Sequence, residues 1–300
     1  MKLKAASPEG TVGAFGSVWV SNHDLQHVSR LDPNTGKTTA KLPAGDSVGW
    51  PVAGADAVWA IGYSGSITRI DPTTNQASTF DSPFSSLCGL SAATPGALWV
   101  DECGDAGFKA SLHRISASTH KVTASVAVGN GVDSMVPVGN TVWAATYSPS
   151  QILRFDATTG AVQLRIPVKG CPMLMQTSYA YGYLWVGQRD GDDTQGATCT
   201  GEPNILRIDP STGAVREISV GRPAWVATGD GSVWTAVADK TGQHQVISRI
   251  DPNSLTSTTW TKLPMKQQPY ETQPDGFAFQ DHALWVGAFA DSVIWVVNTQ

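Results

Sequence analysis

The stretch Ser17-Val18-Trp19-Val20-Ser21, followed by Val28-Ser29-Arg30-Leu31-Asp32-Pro33-Asn34-Thr35-Gly36, is a unit that the rest of the chain repeats. Its first half puts Val or Leu before a Trp and a small or β-branched residue after it. The same context surrounds Trp59, Trp99, Trp143, Trp185, Trp234 and Trp285, at successive spacings of 40, 40, 44, 42, 49 and 51 residues. Its second half recurs as Arg69-Ile70-Asp71-Pro72, Arg154-Phe155-Asp156, Arg207-Ile208-Asp209-Pro210 and Arg249-Ile250-Asp251-Pro252, with Arg114-Ile115-Ser116 as a degenerate copy. A period near 40–50 residues marks propeller blades or helical arrays. The grammar inside each repeat is strand and turn. Runs such as Ser17 to Ser21, Val28 to Leu31 and Thr38 to Leu42 are rich in β-branched residues and bounded by Gly, Pro, Asn and Asp. Asp-Pro-x-Thr-Gly suits a turn in which Pro sets φ and Gly takes the left-handed position. No stretch shows helical periodicity with caps.

Each repeat therefore reads as four strands: an inner strand A, a Trp-bearing strand B, an Arg-bearing strand C and an outer strand D. Seven Trp repeats predict an all-β, seven-bladed β-propeller forming a single domain over residues 1–300. Trp at equivalent places would pack between neighbouring blades. After Trp285 comes a strand C, Val293 to Val297, and no strand D. Lys2 to Ala6 precedes the first strand A, at Glu9-Gly10-Thr11-Val12, so the N-terminal strand is expected to complete the last blade. That closure removes exposed strand edges.

Composition agrees. The chain has 300 residues, 11 Trp, 30 Gly and only 15% charged residues, which excludes a helical bundle and a disordered chain. A net charge of −5 argues against a nucleic-acid surface. No apolar run reaches the 18 or so residues of a membrane span.

Insertions are unevenly spread. The gaps from each repeat Trp to the following Arg are 11, 10, 15, 11, 22 and 15, so extra residues enter the B–C loops of blades 3, 5 and 6. The remaining long interval holds Met265 to Pro274, assigned to a D–A loop. B–C and D–A loops leave a four-stranded blade on the same face, and such a face usually carries binding. Cys88 and Cys103 stand symmetrically about Pro95-Gly96, the A–B turn of blade 3. They are expected to pair across that hairpin, while Cys171 and Cys199 would pin the long loop of blade 5. Two disulfides imply an extracytoplasmic setting. Met1-Lys2-Leu3-Lys4 leads straight into the fold, as in a mature protein or an ectodomain. Four free buried thiols are the alternative.

The expected lining of the variable face gives the candidate chemistry. Trp50, Tyr63, Glu102, Asp133, Tyr147, Arg189 and Trp225 are candidates for binding a small polar ligand, with Asp24, Asp101, Met173 and Asp239 nearby. Trp50 and Trp225 stand outside the repeat, so blade packing does not require them; plugging a central channel is the competing role. Asp190-Gly191-Asp192-Asp193 offers oxygen ligands for Ca²⁺ without the spacing of a known loop, and simple solvation competes with it. His23 and His244, with Glu9, Glu271 and Asp275, are the candidates for general acid–base work. His27, His113, His120 and His282 fall on strand C or on turns of the other face and are set aside. No phosphate loop, nucleophile elbow or zinc spacing is present.

The recurring Leu/Val-Trp-Val and Ile-x-Arg-Ile-Asp-Pro-x-Thr-Gly pattern resembles the propellers of the streptogramin B (virginiamycin B) lyase family and its YVTN/NHL-like relatives. The resemblance covers nearly the whole chain as a blade consensus, which speaks to fold. It implies, for the lyases, Mg²⁺-assisted opening of a cyclic depsipeptide by a His and a Glu. Those relatives commonly place Pro-His at the start of a strand A. Here the positions read Glu9-Gly10, Trp50-Pro51, Cys88-Gly89, Asp133-Ser134, Cys171-Pro172, Pro223-Ala224 and Asp275-Gly276, so no catalytic residue carries over. Related propellers also serve as sensor domains and binding lipoproteins. The sequence thus points to an extracytoplasmic, monomeric propeller binding a small polar ligand or a protein partner. The alternative is a metal-dependent lyase or hydrolase, using Ca²⁺ or Mg²⁺, on the same face.

Overall fold

A computed structural model describes the chain except at Ala6, Ala55, 104–109, 169–176, 189–203, 221–222, 240–243, 265–275 and 289–290. At Ala110, Asn130, Tyr147, Ser148, Pro223, Ala224 and Ala238 only the backbone is described. The strands form seven four-stranded antiparallel blades, with no α-helix among the described residues and a single-turn 3₁₀ helix at His23–Leu25. By proximity the chain groups into two compact units: Met1–Val128 with Asp156–Ala161 and Asp275–Gln300, and Gly129–Phe155 with Val162–Pro274.

The first unit holds blade 1 (Pro8–Ala14, Ser17–Asn22, His27–Leu31, Thr38–Pro43), blade 2 (Val52–Gly54, Ala57–Ile61, Ser66–Asp71, Gln76–Asp81) and strands A to C of blade 3 (Leu87–Thr94, Ala97–Glu102, Ala110–Ser116). It also holds blade 7, whose strands Gly276–Gln280, Ala283–Ala288 and Val293–Asn298 are completed by Lys2–Lys4. Lys2 stands opposite Trp295 and Lys4 opposite Val293, so the N-terminal strand closes the last blade. The second unit holds blade 4 with strands Thr141–Ser148, Ser150–Asp156 and Val162–Pro167. Blade 5 follows (Thr177–Ala180, Tyr183–Gly187, Ile205–Ile208, Val215–Ile218), then blade 6 (Pro223–Gly229, Ser232–Ala238, His244–Ile250, Ser257–Pro264). One departure from the repeat is that strand D of blade 3 and strand A of blade 4 are two parts of one uninterrupted strand, Val122–Val138. Within it Gly129 and Gly131 take positive φ, 95° and 69°, which glycine adopts without strain.

The repeat Trp residues do what their spacing predicts. All seven are at most 1% exposed. Trp19 packs with Val58, Ala60 and Ile70 of the next blade, and Trp59 with Leu98, Val100 and Ile115 of the one after. In the second unit Trp143 meets Leu184, Val186 and Leu206, and Trp185 meets Val226, Val233 and Ile250. Several indoles also hydrogen-bond the A–B turn five residues earlier, as Trp19 does to the Ala14 carbonyl at 3.1 Å and Trp185 to Ala180 at 3.0 Å. Burying each ring is worth roughly 2–3 kcal/mol, which makes the inter-blade layers the main store of stability.

The strand-C Arg lies over the same Trp, 4.9 Å from the ring centroid for Arg30 on Trp19 and 5.5 Å for Arg154 on Trp143. The following Asp folds the turn. Asp32 Oδ1 accepts the backbone N–H groups of Asn34 and Thr35, and Asp71, Asp156, Asp209 and Asp251 repeat the arrangement. These hydrogen bonds, with the Ser211 hydroxyl first among them at Asp209, hold each of the five carboxyls below its ordinary pKa.

Candidate functional site

Glycine near the start of strand A lets neighbouring inner strands approach one another closely. A Cβ on Gly10 would fall 2.7 Å from Pro51 Cδ and 2.8 Å from Trp50 Cα. One on Gly49 would fall 2.9 Å from Gly89 Cα, and one on Gly276 would fall 2.7 Å from the Thr11 nitrogen. Blades 7, 1, 2 and 3 therefore bring the ends of their inner strands together, and with them the side chains beside each glycine.

Glu9 is aimed by a bulge. Pro8 pairs with Asn22 and Gly10 with Ser21, which leaves Glu9 as the extra residue between them. Ser21 Oγ fixes the bulge by accepting the Gly10 N–H at 2.9 Å. Asp133 occupies the equivalent bulge between Val132 and Ser134 in blade 4. The Glu9 carboxylate accepts a hydrogen bond at Oε1 from the Tyr63 hydroxyl, 2.7 Å away. Tyr63 follows strand B of blade 2 and is held on both sides by its backbone, its N–H donating to Ser47 and its carbonyl accepting from Leu87. The Tyr63 ring lies against the backbone of Gly89, where a Cβ would be 3.1 Å from ring carbons and where φ is +80°. The disulfide Cys88–Cys103, with its Cα atoms 5.3 Å apart, ties down this same point of strand A. A chain of supports thus runs from the disulfide through Gly89 and Tyr63 to Glu9.

His23 and Asp24 come from the 3₁₀ turn in the B–C loop of blade 1. His23 Nδ1 is 3.1 Å from Asp24 Oδ1, and its Nε2 is 3.7 Å from Glu9 Oε2. Ser7 Oγ donates to the other Asp24 oxygen at 2.5 Å. Burial pushes the Glu9 carboxyl above its ordinary pKa, against the opposing pull of the Tyr63 hydrogen bond and His23. Burial also pushes the Tyr63 phenol far up, helped by the negative charges of Glu9 and Asp101, so Tyr63 acts as a donor. Asp101 is 1% exposed at the end of strand B of blade 3, and its Oδ1 accepts from the Leu90 N–H. Trp50 is half-buried beside Gly10.

The remaining candidates are placed as follows. Glu102 pairs with His113, whose Nε2 is 2.9 Å from Glu102 Oε2 and whose Nδ1 is 2.8 Å from Ser125 Oγ. Setting His113 aside as a strand-C residue missed this pair. The register that places His113 opposite Val100 makes Glu102 its diagonal neighbour, a signal that pairing strands B and C in the sequence would have supplied. His244 has its own partner, Asp239 Oδ2, at 3.0 Å. Hence His23 and His244 each carry their own carboxylates. Trp225 is 1% exposed within blade 6, where its ring is enclosed. The side chain of Tyr147 and all of Arg189, Asp190, Asp192, Asp193, Cys171, Cys199, Met173, Glu271 and Asp275 lie outside the described residues. Among the described residues no three of His, Cys, Asp and Glu converge so as to hold a metal ion, and no helix is long and apolar enough to cross a membrane.

No protein-family model matches the sequence, and no curated protein matches it. Among solved structures the chain is similar to Kuenenia stuttgartiensis hydrazine synthase, with a TM-score of 0.77 over 100% of this chain and 97% of that one at 14% identity. The chain has a seven-bladed β-propeller fold. It is also similar to a chain of the mitotic checkpoint complex, with a TM-score of 0.75, 11% identity, 99% of this chain and 90% of that one. The computationally designed Ika8 protein gives a TM-score of 0.62 at 13% identity, over 99% and 98% of the two chains. At such identities the likeness concerns the fold and carries no activity with it.

Proposed function

We propose that this chain is an extracytoplasmic ligand-binding propeller whose site is built on Glu9, Tyr63, His23 and Trp50. The observation that carries this reading is the state of Glu9. One carboxylate oxygen is occupied by Tyr63, while Oε2 is buried without a hydrogen-bond partner. Leaving a buried acceptor unmade costs about 1–3 kcal/mol, so a site that keeps one is prepared for a donor from outside. Aromatic side chains beside a few convergent polar groups are the usual furnishing of such a site. The disulfide supports the location, since such bonds persist in oxidising compartments. The test is a thermal-shift screen of small polar molecules against the wild type and Glu9→Ala. Ligands that raise the melting temperature of the wild type alone support the reading, and a panel that shifts both proteins equally overturns it.

A lyase or hydrolase reading, in the manner of the streptogramin B lyases, is favoured by one observation: the run Asp24, His23, Glu9, in which one carboxylate orients the imidazole toward the other. Ring opening of a cyclic depsipeptide by the wild type, lost in His23→Ala, would support it.

A further inference from the structure

The groups around Glu9 also define the charge of what binds there, a step that rests on the ligand-binding reading above. Besides each other, the charged groups that act most on Glu9 and Tyr63 are His23, Asp24 and Asp101, and none of these is a Lys or Arg. Counting Glu9 itself, these are three carboxylates and one imidazole. Much of this negative charge is already committed: Asp24 to Ser7 and His23, Asp101 to the Leu90 N–H, and Glu9 Oε1 to Tyr63. Glu9 Oε2 itself is buried and without a hydrogen-bond donor. His23 Nε2, at 3.7 Å, stands beyond hydrogen-bonding length. The Trp50 ring begins beside Gly10, its Cδ1 2.8 Å from where a Gly10 Cβ would stand, and Tyr63 of the same blade meets Glu9 through its hydroxyl. An excess of negative charge, an acceptor lacking a proton donor and two aromatic rings make a combination that favours a compact cation carrying N–H groups.

We propose that the site takes the primary ammonium group of an organic amine, one N–H donating to Glu9 Oε2 and the charge resting between Tyr63 and Trp50. The ammonium satisfies the buried oxygen and offsets the surplus carboxylate charge at once, which neither a neutral hydroxyl nor an anion does. The rise in pKa that burial imposes on the carboxyl would be offset in part by the positive charge of such a ligand.

The experiment is isothermal titration of the full chain near neutral pH with 1,5-diaminopentane, ethylene glycol, acetate and Mg²⁺ as separate probes. The expected result is saturable binding of the diamine, weakened about tenfold or more in Glu9→Gln, which keeps the shape and the Tyr63 hydrogen bond but removes the charge. Asp81→Asn, at an exposed position on strand D of blade 2, should bind as the wild type does. Circular dichroism establishes that both variants are folded. Equal weakening in Asp81→Asn would show general charge attraction and overturn the proposal. Binding of ethylene glycol or Mg²⁺ in preference to the diamine would overturn it while leaving a ligand-binding site in place. Failure of all four probes to bind would count against both the amine and the site.

Discussion

Arg30 Nη1 donates a hydrogen bond to the carbonyl oxygen of Pro72, 42 residues away, at 2.7 Å. The two residues belong to the same repeated motif in consecutive blades. Arg154 reaches Pro210 at 2.8 Å and Arg207 reaches Pro252 at 3.0 Å in the same way, and degenerate Arg114 reaches the Ala157 carbonyl at 3.1 Å. The Asp-Pro turn of one blade is thus a receptor for the Arg of the blade before it. Pro contributes a carbonyl whose position is fixed by its ring, and Asp shapes the turn that presents it. This explains why Arg, Asp and Pro recur together.

Removing one clamp should loosen one junction. Arg30 also donates to Ser17 Oγ at 2.8 Å and Asn75 Oδ1 at 2.8 Å, and lies over Trp19. Arg30→Ala is expected to cost about 2 kcal/mol in urea unfolding. Arg30→Lys should recover only part of it, because an ammonium lacks the planar fork. Equal stability of wild type and Arg30→Ala would contradict the clamp.

Close approach of the inner strands makes Gly49 intolerant of any side chain. An added Cβ meets Gly89 Cα at 2.9 Å and Gly89 O at 3.0 Å, both backbone atoms. Gly49→Ala should therefore cost about 1–3 kcal/mol by overpacking. It should also disturb Tyr63, which rests on Gly89. The paired measurements are the unfolding midpoint and the tyrosine fluorescence of the variant.

The Cys88–Cys103 bond closes a separation of 15 residues, for which chain entropy allows up to about 3 kcal/mol. The hairpin already holds much of that segment, so Cys88→Ser with Cys103→Ser should lower the melting temperature without abolishing the fold. Because Gly89 adjoins the bond, the double variant should also lose affinity at the Glu9 site. A variant that melts lower yet binds a screened ligand unchanged would separate the disulfide from the site.

Acid should act in two opposite senses. Asp32, Asp71, Asp156, Asp209 and Asp251 have lowered pKa values, so their contribution is present above 3.8 and lost as pH falls through the folded values. Glu9 is raised, so its contribution is full below 4.5 and declines as pH rises through the folded value. Melting curves taken from neutral pH downward should show the wild type gaining on Glu9→Gln as pH approaches 4.5. Both proteins should then lose stability below 3.8. Parallel curves throughout would mean that burial does not perturb Glu9.

Much of this architecture is legible in order along the chain. The Trp spacing predicts seven blades, the missing last strand predicts closure by the segment Lys2 to Ala6, of which Lys2–Lys4 forms the strand, and symmetry about Pro95-Gly96 predicts the Cys88–Cys103 pair. The site is less legible. Trp225 stands outside the repeat, as Trp50 does, yet it is buried, while Trp50 is half-buried beside Gly10. His113 looked like an ordinary strand residue and forms a pair with Glu102.

By itself the sequence determined the blade count, the strand order and the turn chemistry, because each is written in contacts between residues near one another or repeated at a fixed period. Only the tertiary structure decided that Glu9, His23, Tyr63 and Asp101 meet, and that Arg30, Arg154 and Arg207 each find the proline of the following blade. Those meetings depend on a one-residue bulge, on glycines that let backbones touch and on the stacking of one blade against the next. Such quantities arise only when strands far apart in the chain are packed to contact.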